Sequence, residues 1–338
     1  MDDIHGGNIK KLSEVLELNK IPQIKYDFSV NLNLLGPPPK LSALMNEKCF
    51  DWNNYPDPSC IKPVKCLADA HNISQELVTI GNGATEIFSI ILTAFDIKSA
   101  DYYSPCYSGY REVCEKTRVK CFSVKKLNDL KSDAVFIGYP NNPTGHLINK
   151  KNLLDLVYSN EKKLFIIDES FIDFVFDSEK KTFIGLSIPE NLIVVKSLTK
   201  MFNIAGLRLG MAVSIKDNID KINKFRLPWS VNAIAQEAAT VLYSDKGYIN
   251  STKTENKKSR EKLFTDLSAL KGFEVFPSET NFILFKSDNL ELQKRLLEKG
   301  IFIRSCRNID GLGQGYYRIA VKNREANDIL VNAIKSIK

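Results

Sequence analysis

The chain has 338 residues, enough for about two domains, and its 43% hydrophobic and 26% charged residues describe a soluble globular protein that folds without staples. A net charge of +7, from 47 Lys and Arg against 40 Asp and Glu, suits an anionic small molecule; with bases interspersed among acids, nothing resembles the basic stripe of a nucleic-acid binder. Seven cysteines without a CxxC pair and only three histidines speak against zinc or iron–sulfur centres and predict free thiols in a reducing cytoplasm.

In chain order, MDDIHGGN shows no basic segment ahead of an apolar run and does not read as a signal peptide. The longest strongly apolar stretch, near 87–95, falls far short of the ~20 residues that span a bilayer. Residues 1–40 predict an irregular N-terminal arm that joins the small domain; it ends at Pro37-Pro38-Pro39, which cannot sit inside a helix or central strand. Short apolar runs then alternate with amphipathic stretches. Strands are expected at Val78–Ile80, Ala100–Ser104, Val119–Ser123, Ala134–Gly138, Leu164–Asp168, Leu192–Lys196 and Leu209–Val213, with helices at Ala84–Ala94, Tyr107–Lys116 and Asn149–Ser159. Two of these strands, 164–167 and 192–195, are apolar without alternation, as strands covered on both faces are. The pattern predicts an α/β large domain over 41–220 with a mostly parallel, seven-stranded sheet. Past residue 215 come long helices, Ala233–Tyr243 and Lys253–Leu270. Short strands follow at Phe282–Phe285, Ile301–Arg304 and Tyr316–Val321, with helices Leu290–Lys299 and Arg324–Ile337. This is a smaller α+β domain, 221–338.

Ligands of open α/β sheets sit beyond the carboxyl ends of the strands. Five polar signals fall there: Gly81-Asn82-Gly83-Ala84-Thr85-Glu86, Asn141-Asn142-Pro143-Thr144-Gly145, Asp168-Glu169-Ser170-Phe171, Ser197-Leu198-Thr199-Lys200, and Arg208. Each alone has an ordinary structural explanation: a glycine turn capping a helix, a proline turn, a loop carboxylate, a solvated lysine. Their joint order and spacing, over essentially the whole chain, resemble the fold-type I pyridoxal-phosphate enzymes of the aspartate aminotransferase superfamily.

That resemblance implies pyridoxal 5′-phosphate as cofactor and assigns roles residue by residue. Lys200 matches the lysine that forms a Schiff base with the cofactor aldehyde, which requires a neutral amine and therefore a lowered pKa. Asp168 matches the aspartate that keeps the pyridine nitrogen protonated. Gly83, Ala84 and Thr85 open a helix whose free N–H groups suit the cofactor phosphate, and Ser197 and Arg208 match its side-chain ligands. Tyr55, in Asn54-Tyr55-Pro56-Asp57, matches a tyrosine reaching that phosphate from a neighbouring subunit, which implies a homodimer with a shared site. Asn142 matches the asparagine on the ring hydroxyl, and Tyr107 the aromatic stacked on the ring. Arg318, in Tyr317-Arg318-Ile319-Ala320-Val321, matches the clamp for the substrate α-carboxylate. Arg304, fourteen residues earlier, is either an edge-strand surface charge or a clamp for a second substrate anion.

A second clamp implies a phosphorylated amino substrate, as in two relatives, threonine-phosphate decarboxylases of cobalamin synthesis and histidinol-phosphate aminotransferases. His5-Gly6-Gly7-Asn8 resembles the decarboxylases' N-terminal segment, placing His5 and Gly6 on the substrate phosphate. Residues 27–33, Asp-Phe-Ser-Val-Asn-Leu-Asn, followed by Leu35-Gly36, resemble their DFSxNxNPLG stretch with Leu34 in place of proline, and assign Asn33 and Asn142 to the substrate. Residues 228–233 also match them. Aminotransferases carry a tyrosine three residues after the pyridine aspartate; here that position is Phe171, which the resemblance places against the cofactor and which cannot donate. The expected reaction is decarboxylation of threonine O-3-phosphate or serine O-phosphate, with histidinol-phosphate transamination, or a non-enzymatic pyridoxal-fold binding module, as alternatives.

Overall fold

The computed structural model describes residues 6–15, 23–47, 53–185 and 187–337. Its strands in chain order are β1 Tyr26–Asp27, β2 Val78–Gly81, β3 Ser99–Tyr103, β4 Lys120–Val124, β5 Ala134–Gly138, β6 Leu164–Asp168, β7 Leu192–Ser197, β8 Gly210–Val213, β9 Phe273–Val275, β10 Phe282–Ser287, β11 Ile301–Phe302, β12 Arg304–Ser305 and β13 Tyr316–Ala320. Seven of them form one sheet, in the order β2-β8-β7-β6-β5-β3-β4. All neighbours are parallel except around β8, which runs antiparallel to β2 and β7.

The two-residue period of a strand explains why the central runs are apolar throughout. Val135, Ile137, Phe165, Ile167 and Val194 feed one core, while Phe136, Ile166, Ile193 and Val195 feed the opposite one. The second core is closed by Ile87, Phe88 and Ile91 of helix Ala84–Ala94. With both faces covered, the polar residues of β5, β6 and β7 fall only at their carboxyl ends, and these ends meet at one edge.

The smaller sheet is antiparallel, β12-β13-β10-β9. Ile283, Phe285, Tyr317 and Ile319 pack there against Leu263 and Leu267 of helix Lys246–Ser268 and Leu330 and Ile334 of helix Arg324–Lys335. The N-terminal segment is built into this unit. β1 pairs in parallel with β11, the Phe28 N–H donates to the Phe302 carbonyl (2.7 Å), and the Ala320 N–H donates to the Phe28 carbonyl (2.9 Å).

Several expectations are corrected. The first forty residues are not irregular throughout: 9–15 form a helix and 26–27 a strand. The third proline starts helix Pro39–Glu47, because a first-turn residue needs no N–H. The run 301–304 is two strands, β11 facing β1 and β12 facing β13. Helix Ala233–Ala239 is shorter than expected, and the long helix begins at Lys246, capped by Asp245 accepting from the Tyr248 N–H (2.9 Å). Helices Ile61–Ala70 and Lys216–Phe225 were not anticipated, and the latter spans residue 220 and packs Ile219 and Ile222 on the large sheet's core. Among the described residues no helix is long and apolar enough to cross a membrane, and no group of His, Cys, Asp or Glu could hold a metal ion.

Candidate active site at the carboxyl edge of the large sheet

A cavity of about 210 Å³ opens where the strand ends of the large sheet meet the small sheet and the N-terminal segment. Its wall includes Gly6, Ala84, Thr85, Tyr107, Asn142, Asp168, Phe171, Ser197, Lys200, Arg208, Arg304 and Arg318, so twelve of the sequence-predicted residues converge on one space.

Lys200 follows β7 on a turn. Burial first, then the positive charges of Arg208 and Arg318, pull its amine from an ordinary 10.5 down to about 8, with Asp168 opposing. Asp168 ends β6 and its carboxylate is fully engaged on the protein side: Tyr110 Oη donates to Oδ2 (2.7 Å), and the N–H and hydroxyl of Ser170 donate to Oδ1. Burial raises its pKa, and those hydrogen bonds and Lys200 counter the shift. A buried carboxylate of this kind calls for a cationic or donor partner.

At the far end, helix Ala84–Ala94 directs its free N–H groups toward the cavity. Gly83 precedes it at φ +83°, and a Cβ there would sit 2.6 Å from Arg208 Nη2, so glycine lets the guanidinium lie flush against the helix start. Arg208 is itself left-handed (φ +55°). Ser197 Oγ lies 2.8 Å from Thr199 Oγ1. Tyr107 hydrogen-bonds Thr85, and its phenol pKa is raised by burial. Phe171 packs edge-on against Phe282, centroids 4.9 Å apart.

Arg318 comes from β13. Its Nη1 donates to Asn142 Oδ1 (2.6 Å) and its Nη2 to the Ser29 carbonyl (2.9 Å), whereas Nε is buried with no acceptor among the described residues. Burial, with Arg304 adding to it, lowers Arg318 to about 10. Arg304 is only 8% exposed, which removes the surface-charge reading; its Nη2 donates to Asn308 Oδ1 (3.4 Å).

Four predicted residues are not among those lining this wall: Gly83, which abuts Arg208 at the helix start, Asn33, His5, and Tyr55, which was expected to act from a neighbouring subunit. The side chain of Asn33 is spent inside the protein: Nδ2 donates to the Met201 carbonyl (2.8 Å) and lies 2.7 and 2.9 Å from the Tyr248 and Thr252 hydroxyls. Tyr55 is 79% exposed and stacks near Trp229, centroids 4.7 Å apart. His5 lies outside the described residues, although its neighbour Gly6 lines the cavity, so close that a Cβ would meet the Ser29 carbonyl at 2.2 Å. Sequence reading missed Tyr110, Ser170 and Asn31. Asn31 lines the cavity with its Oδ1 buried and unpartnered; two residues apart, the pair would share one face of a regular strand, and it is the partners of Asn33 that turn it inward instead.

The arrangement joins a poised amine, a buried carboxylate, a helix N-terminus with a guanidinium, and two further arginines on the opposite side. Comparison with known proteins gives the family. The family model described as Aminotransferase class I and II matches residues 23–334. The adenosylcobalamin biosynthesis bifunctional protein CobDQ of Leptospira interrogans is 36% identical over 98% of this chain, which spans 41% of that protein's length. A histidinol-phosphate aminotransferase of Caldanaerobacter subterraneus is 30% identical, with 95% of each protein covered. The solved structure of L-threonine-O-3-phosphate decarboxylase from Porphyromonas gingivalis is similar at a TM-score of 0.82 and 25% identity, over 92% of this chain and 98% of that one.

Proposed function

Since the chain belongs to the aminotransferase class I and II family, whose cofactor is pyridoxal 5′-phosphate, we propose that it decarboxylates an O-phosphorylated amino acid. The substrate is threonine O-3-phosphate or serine O-phosphate, and the product 1-aminopropan-2-ol phosphate or ethanolamine phosphate serves assembly of the cobamide nucleotide loop. The observation carrying this reading is a pair of arginines, the buried Arg304 and the half-buried Arg318, on the wall that also holds Lys200. Buried guanidinium groups need anions, and two of them suit a substrate with two.

The residues fit the cofactor. Lys200 would hold its aldehyde carbon and Asp168 its ring nitrogen; the 83–85 turn with Ser197 and Arg208 would hold its phosphate, and Tyr107 and Asn142 its ring. The orphan Nε of Arg318 supplies a donor still lacking its acceptor. Bound pyridoxal 5′-phosphate supplies an electron sink conjugated to the substrate Cα. Reaction choice then rests with the chain, because only the Cα bond perpendicular to that sink breaks. Arg318 would grip the α-carboxylate and Arg304, with Asn31 and the segment beginning at Gly6, the distal phosphate; two fixed anions set the rotation about the Cα–N bond. Lys200 Nζ returns a proton to Cα. Phe171, where an aminotransferase carries a hydroxyl, removes one donor from the ring oxygen.

Histidinol-phosphate amino transfer is the second reading, supported by the 30% identity over 95% of the chain. Incubation with O-phospho-L-threonine, O-phospho-L-serine or histidinol phosphate, scored for CO₂ and for glutamate formed from 2-oxoglutarate, separates them. Glutamate without CO₂ overturns the decarboxylase proposal. We place the enzyme in the cytoplasm as a homodimer in which the partner subunit's Tyr55 completes the phosphate site; gel filtration with light scattering tests the dimer.

A further inference from the structure

We propose that Asp310 is a positioning residue, fastening the loop between β12 and β13 to the end of β3 and thereby holding Arg304 at its working position. The proposal rests on the reading of Arg304 as the phosphate clamp. Arg304 belongs to the small sheet and Tyr102 to the large one, so whatever joins them sets the distance between substrate phosphate and the lysine end of the cavity.

The join is dense at a single residue. The Tyr102 hydroxyl donates to Asp310 Oδ2, the Ser104 hydroxyl donates to the Asp310 carbonyl (2.6 Å), and Arg111 Nη1 lies 3.8 Å from Asp310 Oδ1. Tyr102 is nearly fully buried, and the Asp310 carboxylate is the acceptor its hydroxyl uses. Withdrawing the loop would strand a buried donor, a cost that keeps the contact closed. Gly311, at φ +85°, lets the loop seat flush, since a Cβ there would come within 3.1 Å of Ser104 Oγ.

From Asp310 the constraint reaches Arg304 through a short, stiff path. The Ile309 N–H donates to the Cys306 carbonyl (3.0 Å), and the Leu312 N–H to the Ile309 carbonyl (3.0 Å). Ile309 is buried and lines the cavity. Asn308 accepts from Arg304 Nη2 (3.4 Å). The loop is therefore bonded to the end of β3 through Asp310 and to the arginine through Asn308, two residues before it.

The test uses holoenzyme carrying Tyr102→Phe, Asp310→Asn, both together, or Arg304→Ala. Calorimetry gives the Kd of 1-aminopropan-2-ol phosphate and of unphosphorylated 1-aminopropan-2-ol, neither of which has a carboxylate to lose. Each latch variant should weaken the phosphorylated ligand about 5- to 20-fold and the unphosphorylated one less than about twofold. The double variant should be no worse than the worse single one, as for two ends of one contact. The visible absorbance of bound cofactor should be retained. Equal weakening of both ligands would make the contact merely structural and overturn the proposal. So would an unchanged phosphate preference in the latch variants when Arg304→Ala abolishes it. If Arg304→Ala leaves the preference intact, the phosphate-clamp reading falls first and the latch falls with it, a pattern that tells the two failures apart.

Discussion

Lys200 offers the sharpest test of the site, because the state of its amine is set by burial and by where the chain places two arginines. Its amine titrates at about 8 instead of 10.5 through burial, Arg208 and Arg318, in that order. At pH 7 roughly one molecule in ten then carries a neutral amine, against roughly one in 3,000 for an unperturbed lysine, a gain of about 300-fold in nucleophile. Replacing Arg318 by Gln deletes one of the two charges but keeps a planar amide beside Asn142 and Ser29. Lys200 should then move part of the way back, by about half a unit to one unit. The assay is uptake of pyridoxal 5′-phosphate by stripped apoprotein, followed by visible absorbance across about pH 6 to 10. The neutral amine is the reactive form, so the rate should rise with pH through a midpoint near 8 in wild type and between about 8.5 and 9 in Arg318→Gln. Lys200→Ala should develop no lysine-bound absorbance at any pH. A wild-type midpoint at 10 or above would mean a solvated lysine, and an unmoved midpoint in the variant would mean that Arg318 exerts no field there; either result refutes the reasoning.

Removing Arg304 should cost on the order of 100-fold in kcat/KM for O-phospho-L-threonine, because a charge-assisted grip in a buried site is lost, while any threonine turnover changes little; steady-state assays on both substrates check the ratio. The two asparagines should separate cleanly. Asn33→Ala abandons three buried polar partners and should lower stability by about 2–3 kcal/mol in denaturant unfolding, whereas Asn31→Ala should leave stability nearly unchanged and weaken substrate binding. Glu169 is fully buried beneath the sheet, and burial raises its carboxyl to about 7 despite Lys196 and bonds from Phe183 and Thr182. The native state thus holds this proton more tightly than the unfolded chain, so stability should fall as pH rises from about 4.5 to 7, by about 3 kcal/mol from this group. Glu169→Gln should remove that part of the slope in urea titrations at several pH values.

The large sheet was legible because burial on both faces leaves a plain signature. The Leu164–Asp168 strand and the Ala84–Ala94 helix were read to the residue. Residues at the strand ends were legible for a related reason: a polar group directly after a doubly buried strand has few places to go except the shared edge. What escaped was decided by partners distant in sequence. Nothing in Ile301-Phe302-Ile303-Arg304 says that its first half pairs with β1 and its second with β13. Asn31 and Asn33 have equivalent local surroundings, and only the positions of Met201, Tyr248 and Thr252 decide which one turns inward. Tyr110 looked like an ordinary helix aromatic until the fold set its hydroxyl on Asp168.

The pairing of β1 with β11 also dictates a calendar for synthesis. Tyr26 and Asp27 find their register partners in Ile301 and Phe302, and Phe28 is held between Phe302 and Ala320, almost three hundred positions downstream. All the strands of the large sheet lie between 78 and 213, so that sheet can assemble while the ribosome is still adding the rest. Residues 26–28 must wait for residues 301–320, made much later. Since Ser29, Val30 and Asn31 form part of the cavity wall and Ser29 anchors Arg318, the pocket acquires that wall only after residues 301–320 have been made. A stalled or prematurely ended polypeptide could own the whole large sheet and its lysine, yet would have no enclosed place for an amino acid to react.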